Sequence, residues 1–158
     1  MTLPNEAGAQ VRFPPPLVFL GAILLGVIAQ RMAVPLSLLF APGLRVAVGV
    51  LILACSVGLV VSARIFFKRT GQSPIPWKPT PELILQGPYR FTRNPMYVGV
   101  TLFVVGLGLT VNNIWISLFA APALLAVHFI AVLPEERYLA EKFGEDYRSF
   151  RARVRRYL

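Results

Sequence analysis

Residues 44–67 are apolar almost without a break, and this run constrains the fold more than any other feature. As a helix it would be about 36 Å long, enough for a tilted crossing of a bilayer. Arg45 and Arg64 lie near its ends, where a long side chain can reach water. Three more apolar segments accompany it, at residues 17 to about 34, 96–111 and 114–133. Hydrophobic residues make up 56% of the chain, which places it in the membrane class. A secretory leader is the competing reading of the first segment, but Arg31 stands where a cleavage region needs small neutral residues. The expected fold is an all-α integral membrane protein with about four transmembrane helices.

The charges fit that expectation. The net charge is +9, from 16 Lys and Arg against 7 Asp and Glu. The basic residues flank apolar spans instead of forming a soluble patch, which argues for orientation in a membrane and against nucleic acid. Loop 68–93 carries Lys68, Arg69, Lys78, Arg90 and Arg93 against Glu82, so it is expected in the cytosol. An even number of spans puts both termini on that side. Pro74, Pro76, Pro79 and Pro81 exclude a regular helix in the loop, and Trp77 reads as an interface anchor.

The chain therefore reads as one domain, 1–158. A flexible arm over 1–16 precedes two spans within 17–67, joined by an interfacial connector at 35–43. A loop over 68–95 leads to a helical hairpin over 96–133, and an amphipathic helix over 135–158 closes the chain. Asn112-Asn113 is the hairpin turn, with Asn113 as a helix cap. Gly99, Gly106 and Gly108 are expected to face Ala120, Ala121, Ala123 and Ala126 across the hairpin. Pro122 is a candidate kink, and Pro134 is expected to end the fourth span. Beyond it, Leu139, Phe143, Tyr147, Phe150, Val154 and Tyr157 recur at spacings of three and four. Gly144 is a candidate local break in that helix. Arg148, Arg151, Arg153, Arg155 and Arg156 crowd its end, the pattern of a surface helix on anionic lipid. Cys55, the single cysteine, reads as a small core residue and offers no disulfide.

Three features carry chemistry. Asn94 followed by Pro95 is a helix-start signal at a membrane face, where free N–H groups and the positive end of the dipole suit an anionic group. Tyr89 and Tyr97 add aromatic faces that can hold a cation. His128, the single histidine, precedes Glu135 by seven residues, or about two turns, which puts the two on roughly one face. With no second His or Cys partner, a metal site is not expected. Glu135 and Glu136 either offset the dipole of the helix they open or hold a cationic ligand.

The stretch Gly87-Pro88-Tyr89-Arg90-Phe91-Thr92-Arg93-Asn94-Pro95-Met96-Tyr97-Val98-Gly99 resembles the signature of the isoprenylcysteine carboxyl methyltransferase and phospholipid methyltransferase families. The stretch from Glu135-Glu136 through Leu139, Phe143-Gly144 and Tyr147 is similar to their second block. The resemblance implies an integral-membrane enzyme of the bacterial inner membrane that uses S-adenosylmethionine. Its acceptor would be lipophilic: a prenylcysteine-type carboxylate, a phospholipid amine or a small thiol. Membrane lipid is the implied partner, with no nucleic acid and no metal. The positions matching the families' cofactor contacts are Leu83, Ile84, Tyr89, Asn94, Pro95, Met96, Tyr97 and Glu135, with Glu136 second. His128 is implied as a site residue, near donor or acceptor.

Two departures matter. The families' R-H-P is Arg93-Asn94-Pro95 here, which keeps a polar group and a cap but cannot titrate. The arginine that often precedes the glutamate pair is replaced within Ala131-Val132-Leu133-Pro134, which leaves Arg93 or Arg137 to meet an acceptor's anion. An inert lipid- or cofactor-binding scaffold of the same fold is the alternative those departures favour. A small transporter would need polar residues aligned in several spans, and His128 alone lies well inside one.

Overall fold

The computed structural model describes residues 8–9, 11, 13–32, 41–71, 75 and 78–157. Most of the N-terminal arm, connector residues 35–40, Pro74, Pro76 and Trp77 lie outside the described residues. Within the described arm, Ala9 and Val11 are buried, so this part packs instead of extending freely.

The helices are α1 (Pro15–Met32), α2 (Pro42–Arg69), α3 (Pro95–Thr110), α4 (Ile114–Val127) and α5 (Leu133–Arg153). A 3₁₀ turn, Gly87–Arg90, precedes α3. A wide π-type turn, His128–Val132, joins α4 to α5. No strand occurs among the described residues, and the one extended pairing is an isolated bridge between Thr92 and Arg155. α1, α2 and the continuous run Ile114–Arg153 are long and apolar enough to cross a membrane, and α3 is apolar but shorter. Lipid offers no partner to backbone N–H and C=O groups, which is why such sequences form helices. Leu24, Leu25, Leu51 and Leu125 are each more than half exposed (54%, 55%, 63% and 58%), as suits an outer face solvated by hydrocarbon.

The chain divides into two compact units. One comprises residues 15–58 and 97–127, and the other comprises the residues up to 14, 59–96 and 128–158.

In the first unit α1 packs along α4. Gly26 permits this contact, because a Cβ there would come within 2.7 Å of Ile116 backbone atoms. The small residues of α3 do not all face the alanines of α4. A Cβ on Gly106 would meet Gly49, Ile52 and Leu53 of α2, and the Gly99 carbonyl accepts a 2.8 Å hydrogen bond from Ser56 Oγ. Gly108 lies against Ser117 of α4, not against one of the expected alanines. Gly99 and Gly106 are two turns apart and share one face, whereas Gly108 is about 200° around the helix from Gly106. Ala120 and Ala123 are buried, but Ala121 and Ala126 are exposed. Cys55 is also exposed, contrary to the core expectation. It sits one step from Ser56, which takes the buried face.

Arg45 does more than reach for water. Its Nη1 donates to the carbonyls of Leu109 (2.9 Å) and Thr110 (3.3 Å) in the last turn of α3, where helix carbonyls lack their regular partner four residues on. Asn112 takes a left-handed conformation, φ 55°, that asparagine tolerates. Asn113 caps α4 as expected: Ile116 N donates to its Oδ1 at 3.3 Å.

In the second unit Pro134 does not end a helix. The run passes from α4 through the π turn into α5 without interruption. Proline lacks an N–H and clashes with the carbonyl four residues back. The wide turn just before it loosens that register, and Pro134 falls in the first turn of α5, where its N–H would have no use. Gly144, at φ 51° and ψ −117°, does kink α5. α5 ends at Arg153, not at the chain terminus, because Val154 turns extended (φ −119°, ψ 131°).

Candidate functional site

The second unit holds most of the residues singled out by sequence. Its loop enters through Gly87, at φ 60°, where any Cβ would collide with the Phe66 ring. Pro88 and Tyr89 come next, both buried. Tyr89 packs edge-to-face on Phe67, with ring centroids 5.9 Å apart. Burial holds the Tyr89 hydroxyl far above the usual phenol range, and the nearby Glu135 carboxylate adds to the shift. Glu135 and Tyr89 are thus electrostatic neighbours. The Pro88 carbonyl accepts from the N–H groups of Phe91 (3.1 Å) and Thr92 (3.2 Å), which closes the turn. Thr80 N donates to Tyr138 Oη at 3.1 Å, tying the loop to α5.

Residues 92–94 are then held by the tail beyond α5. Arg93 N donates to the Arg155 carbonyl at 2.9 Å. Thr92 Oγ1 and Asn94 Nδ2 both donate to the Arg156 carbonyl, each at 3.0 Å. Asn94 N donates to Thr92 Oγ1 at 3.2 Å.

The centre of the unit is ionic. Arg93 Nη1 meets Glu136 Oε1 at 3.0 Å, with both side chains deeply buried. Arg156 grips the same carboxylate with two nitrogens, Nε to Oε1 at 2.9 Å and Nη2 to Oε2 at 2.8 Å. One carboxylate between two guanidiniums leaves a positive charge in excess. The bond to Glu136 raises the Arg156 guanidinium further above its ordinary value. Burial, then Glu136, raises the neighbouring Tyr147 hydroxyl. Arg93 Nε is buried and makes no hydrogen bond.

His128 Nδ1 lies 2.8 Å from the Tyr157 hydroxyl. A shared face for His128 and Glu135 requires an uninterrupted α-helix between them. The π turn takes up one extra residue and rotates α5 by about 100° relative to that geometry. Glu136, one residue further on, regains the phase of His128. Both are held by consecutive tail residues, Arg156 and Tyr157.

The unit brings together Leu83, Ile84, Tyr89, Arg93, Asn94, Pro95, Met96, His128, Glu135 and Glu136, while Tyr97 belongs to the other unit. Asn94 and Pro95 are buried, Leu83, Ile84 and Met96 are half-buried, and Arg137 is exposed. Among the described residues no three His, Cys, Asp or Glu side chains cluster as metal ligands would.

Thr92, Tyr147, Arg156 and Tyr157 are the residues that sequence reasoning missed. By sequence Arg156 belongs with lipid-facing arginines, and Tyr157 with an apolar helical stripe. No Gly or Pro marks the end of α5 at Arg153, so no local signal separates the tail from the helix.

A family model described as phospholipid methyltransferase matches residues 44–146. A protein-S-isoprenylcysteine O-methyltransferase of Schizosaccharomyces pombe (strain 972 / ATCC 24843) is 29% identical over 72 residues, which is 46% of this chain and 30% of that protein. The chain is therefore aligned to less than a third of that relative. The family match is broader: it takes in the whole Gly87–Gly99 stretch, the Glu135-Glu136 pair and well over half the sequence, and the chain belongs to the phospholipid methyltransferase family.

Proposed function

We propose that this protein is an integral-membrane methyltransferase that uses S-adenosylmethionine to methylate a lipophilic acceptor: a prenylcysteine-type carboxylate, a phospholipid amine or a small thiol. One observation carries the reading. Residues 87–96 of the first block that resembles the methyltransferase families, and all of the second, lie in one compact unit, with Glu135 acting electrostatically on Tyr89 and Arg93 paired to Glu136.

The side chains fit such a donor. S-adenosylmethionine carries an ammonium, a sulfonium and a carboxylate. Glu135 with the Tyr89 ring offers a place for a cationic group. The buried, unpartnered Arg93 Nε and the excess positive charge around Glu136 suit an anionic one. Leu83, Ile84, Asn94, Pro95 and Met96 would supply the remaining contacts. When bound, the donor supplies an electrophilic methyl group on a sulfonium. The protein's own task is to orient the acceptor in line with that methyl and to keep water out. A carboxylate or thiolate acceptor needs no base. An amine acceptor must lose a proton, and His128 or a glutamate would take it. Arg93 is committed to Glu136, so Arg137, exposed at the start of α5, is the cation for an acidic headgroup.

In the membrane, α1 to α4 would form four spans. α3 is the short one, at about 24 Å for a hydrocarbon core of about 30 Å. α5 would lie on the cytosolic surface with its arginines toward anionic lipid, and both termini would be cytosolic in a bacterial inner membrane.

The test is transfer of a labelled methyl from S-adenosylmethionine, by protein in lipid nanodiscs, to phospholipid, prenylcysteine and thiol acceptors. The reading expects label in one acceptor class. Donor binding with no transfer to any class would favour the inert scaffold instead.

A further inference from the structure

Two consecutive tail residues reach three separate parts of the chain that the proposed site draws on. The Arg156 carbonyl accepts from Thr92 Oγ1 and Asn94 Nδ2 in the loop. The Arg156 guanidinium takes both oxygens of Glu136 in the first turn of α5. The Tyr157 hydroxyl meets His128 Nδ1 in the π turn. We propose that Arg156 and Tyr157 are positioning residues of the donor site. They hold the 92–94 loop, the His128 turn and the start of α5 in one register, and they keep Glu136 occupied so that Glu135 meets the donor's cationic group. The inference rests on the methyltransferase reading above.

The loop needs such a device. Residues 91–94 belong to no helix; beyond the Arg93 contacts to Glu136 and Tyr147, what fixes them is hydrogen bonds to Pro88, Arg155 and Arg156. Arg156 also differs from its basic neighbours. Arg148, Arg151, Arg153 and Arg155 are exposed, whereas the Arg156 side chain is 30% exposed and bidentate on a buried carboxylate. A planar guanidinium fork can make that pair of bonds, and a lysine ammonium cannot. With Arg93 added, three nitrogens surround Glu136, which fills most of the roughly four acceptor positions of a carboxylate. Glu135 is felt electrostatically by the buried Tyr89 hydroxyl. The adjacent glutamates thus have different tasks: Glu136 anchors the tail and Glu135 faces the ligand.

The test uses the full chain in nanodiscs as parent, Arg156→Gln, Arg156→Lys and Tyr157→Phe. Three quantities are measured: hydrogen exchange of the 92–94 amides, S-adenosylmethionine affinity by calorimetry, and the ¹⁵N NMR signal of the single histidine. Arg156→Gln should speed exchange at the Arg93 amide tenfold or more and weaken donor binding about tenfold. Arg156→Lys should recover part of the affinity. Tyr157→Phe should leave the loop amides near parent rates, shift the His128 Nδ1 signal and weaken the donor severalfold. If Arg156→Gln does not fold, the two gentler variants carry the test. Faster exchange with unchanged donor affinity would make the tail a plain brace and overturn the proposal. Unchanged exchange and an unmoved histidine signal would show that the tail is not docked, which also overturns it. A parent that binds no donor would instead overturn the methyltransferase reading, and the positioning role with it.

Discussion

Arg93 and Glu136 form a 3.0 Å ion pair in which each side chain is more than nine-tenths buried, at 8% and 9% exposure. The two lie in different sequence blocks, one just before α3 and one in the first turn of α5. Removing one partner of such a pair leaves an uncompensated buried charge, which costs about 3–5 kcal/mol. Glu136→Gln should therefore lower thermal stability sharply in detergent, because two guanidiniums would lose their shared carboxylate. Glu141→Gln, on the exposed side of α5, is the control and should change little. Equal melting temperatures for both variants would show that the buried pair does not hold the unit together.

The proposed topology predicts where labels react. In a Cys55→Ser background, Lys78→Cys and Ser149→Cys should both be modified by an impermeant thiol reagent from the cytosolic side. Both positions are exposed, in the basic loop and late in α5. Modification of the two from opposite faces would rule out four spans with α5 in the cytosol.

Alkaline pH should unfold the protein from its tyrosines. Burial raises the hydroxyls of Tyr89, Tyr147 and Tyr157 above the phenol range. The folded state then keeps protons that the unfolded chain loses near pH 10. Above that pH the unfolded state binds fewer protons, so stability falls as pH rises, and it is fully present below. The denatured chain should titrate its five tyrosines together. The folded chain should keep several unionised until it unfolds. Joint ionisation of all five near pH 10 in the folded protein would refute the burial of these rings.

The sequence made the apolar helices and the Asn113 cap legible, because hydrophobic runs and capping residues act locally. It also marked Asn94, Glu135 and Glu136, since those lie in compact blocks. Pro134 misled, because proline ends a regular helix but is tolerated after a π turn, and His128-Phe129-Ile130-Ala131-Val132 has no composition that announces one. That single inserted residue changes which glutamate shares the phase of His128. The tail was illegible for another reason. The partners of Arg156 and Tyr157 lie 20 to 64 positions away, and a basic, apolar-striped terminus reads equally well as a lipid-facing helix. The glycines of α3 were marked as packing residues, but which neighbour each meets depends on helix rotation, which spacing alone does not set.

The central claim is that a cationic methyl donor binds beside Tyr89 and Glu135. Its most direct measurement is the calorimetric affinity of S-adenosylmethionine for the parent, Glu135→Gln and Glu141→Gln in nanodiscs. Glu135→Gln keeps the shape and removes the charge. The account predicts that the parent binds, that Glu141→Gln matches it, and that Glu135→Gln loses about tenfold, or roughly 1.4 kcal/mol. Equal affinity in all three proteins, or no binding by the parent, would contradict it.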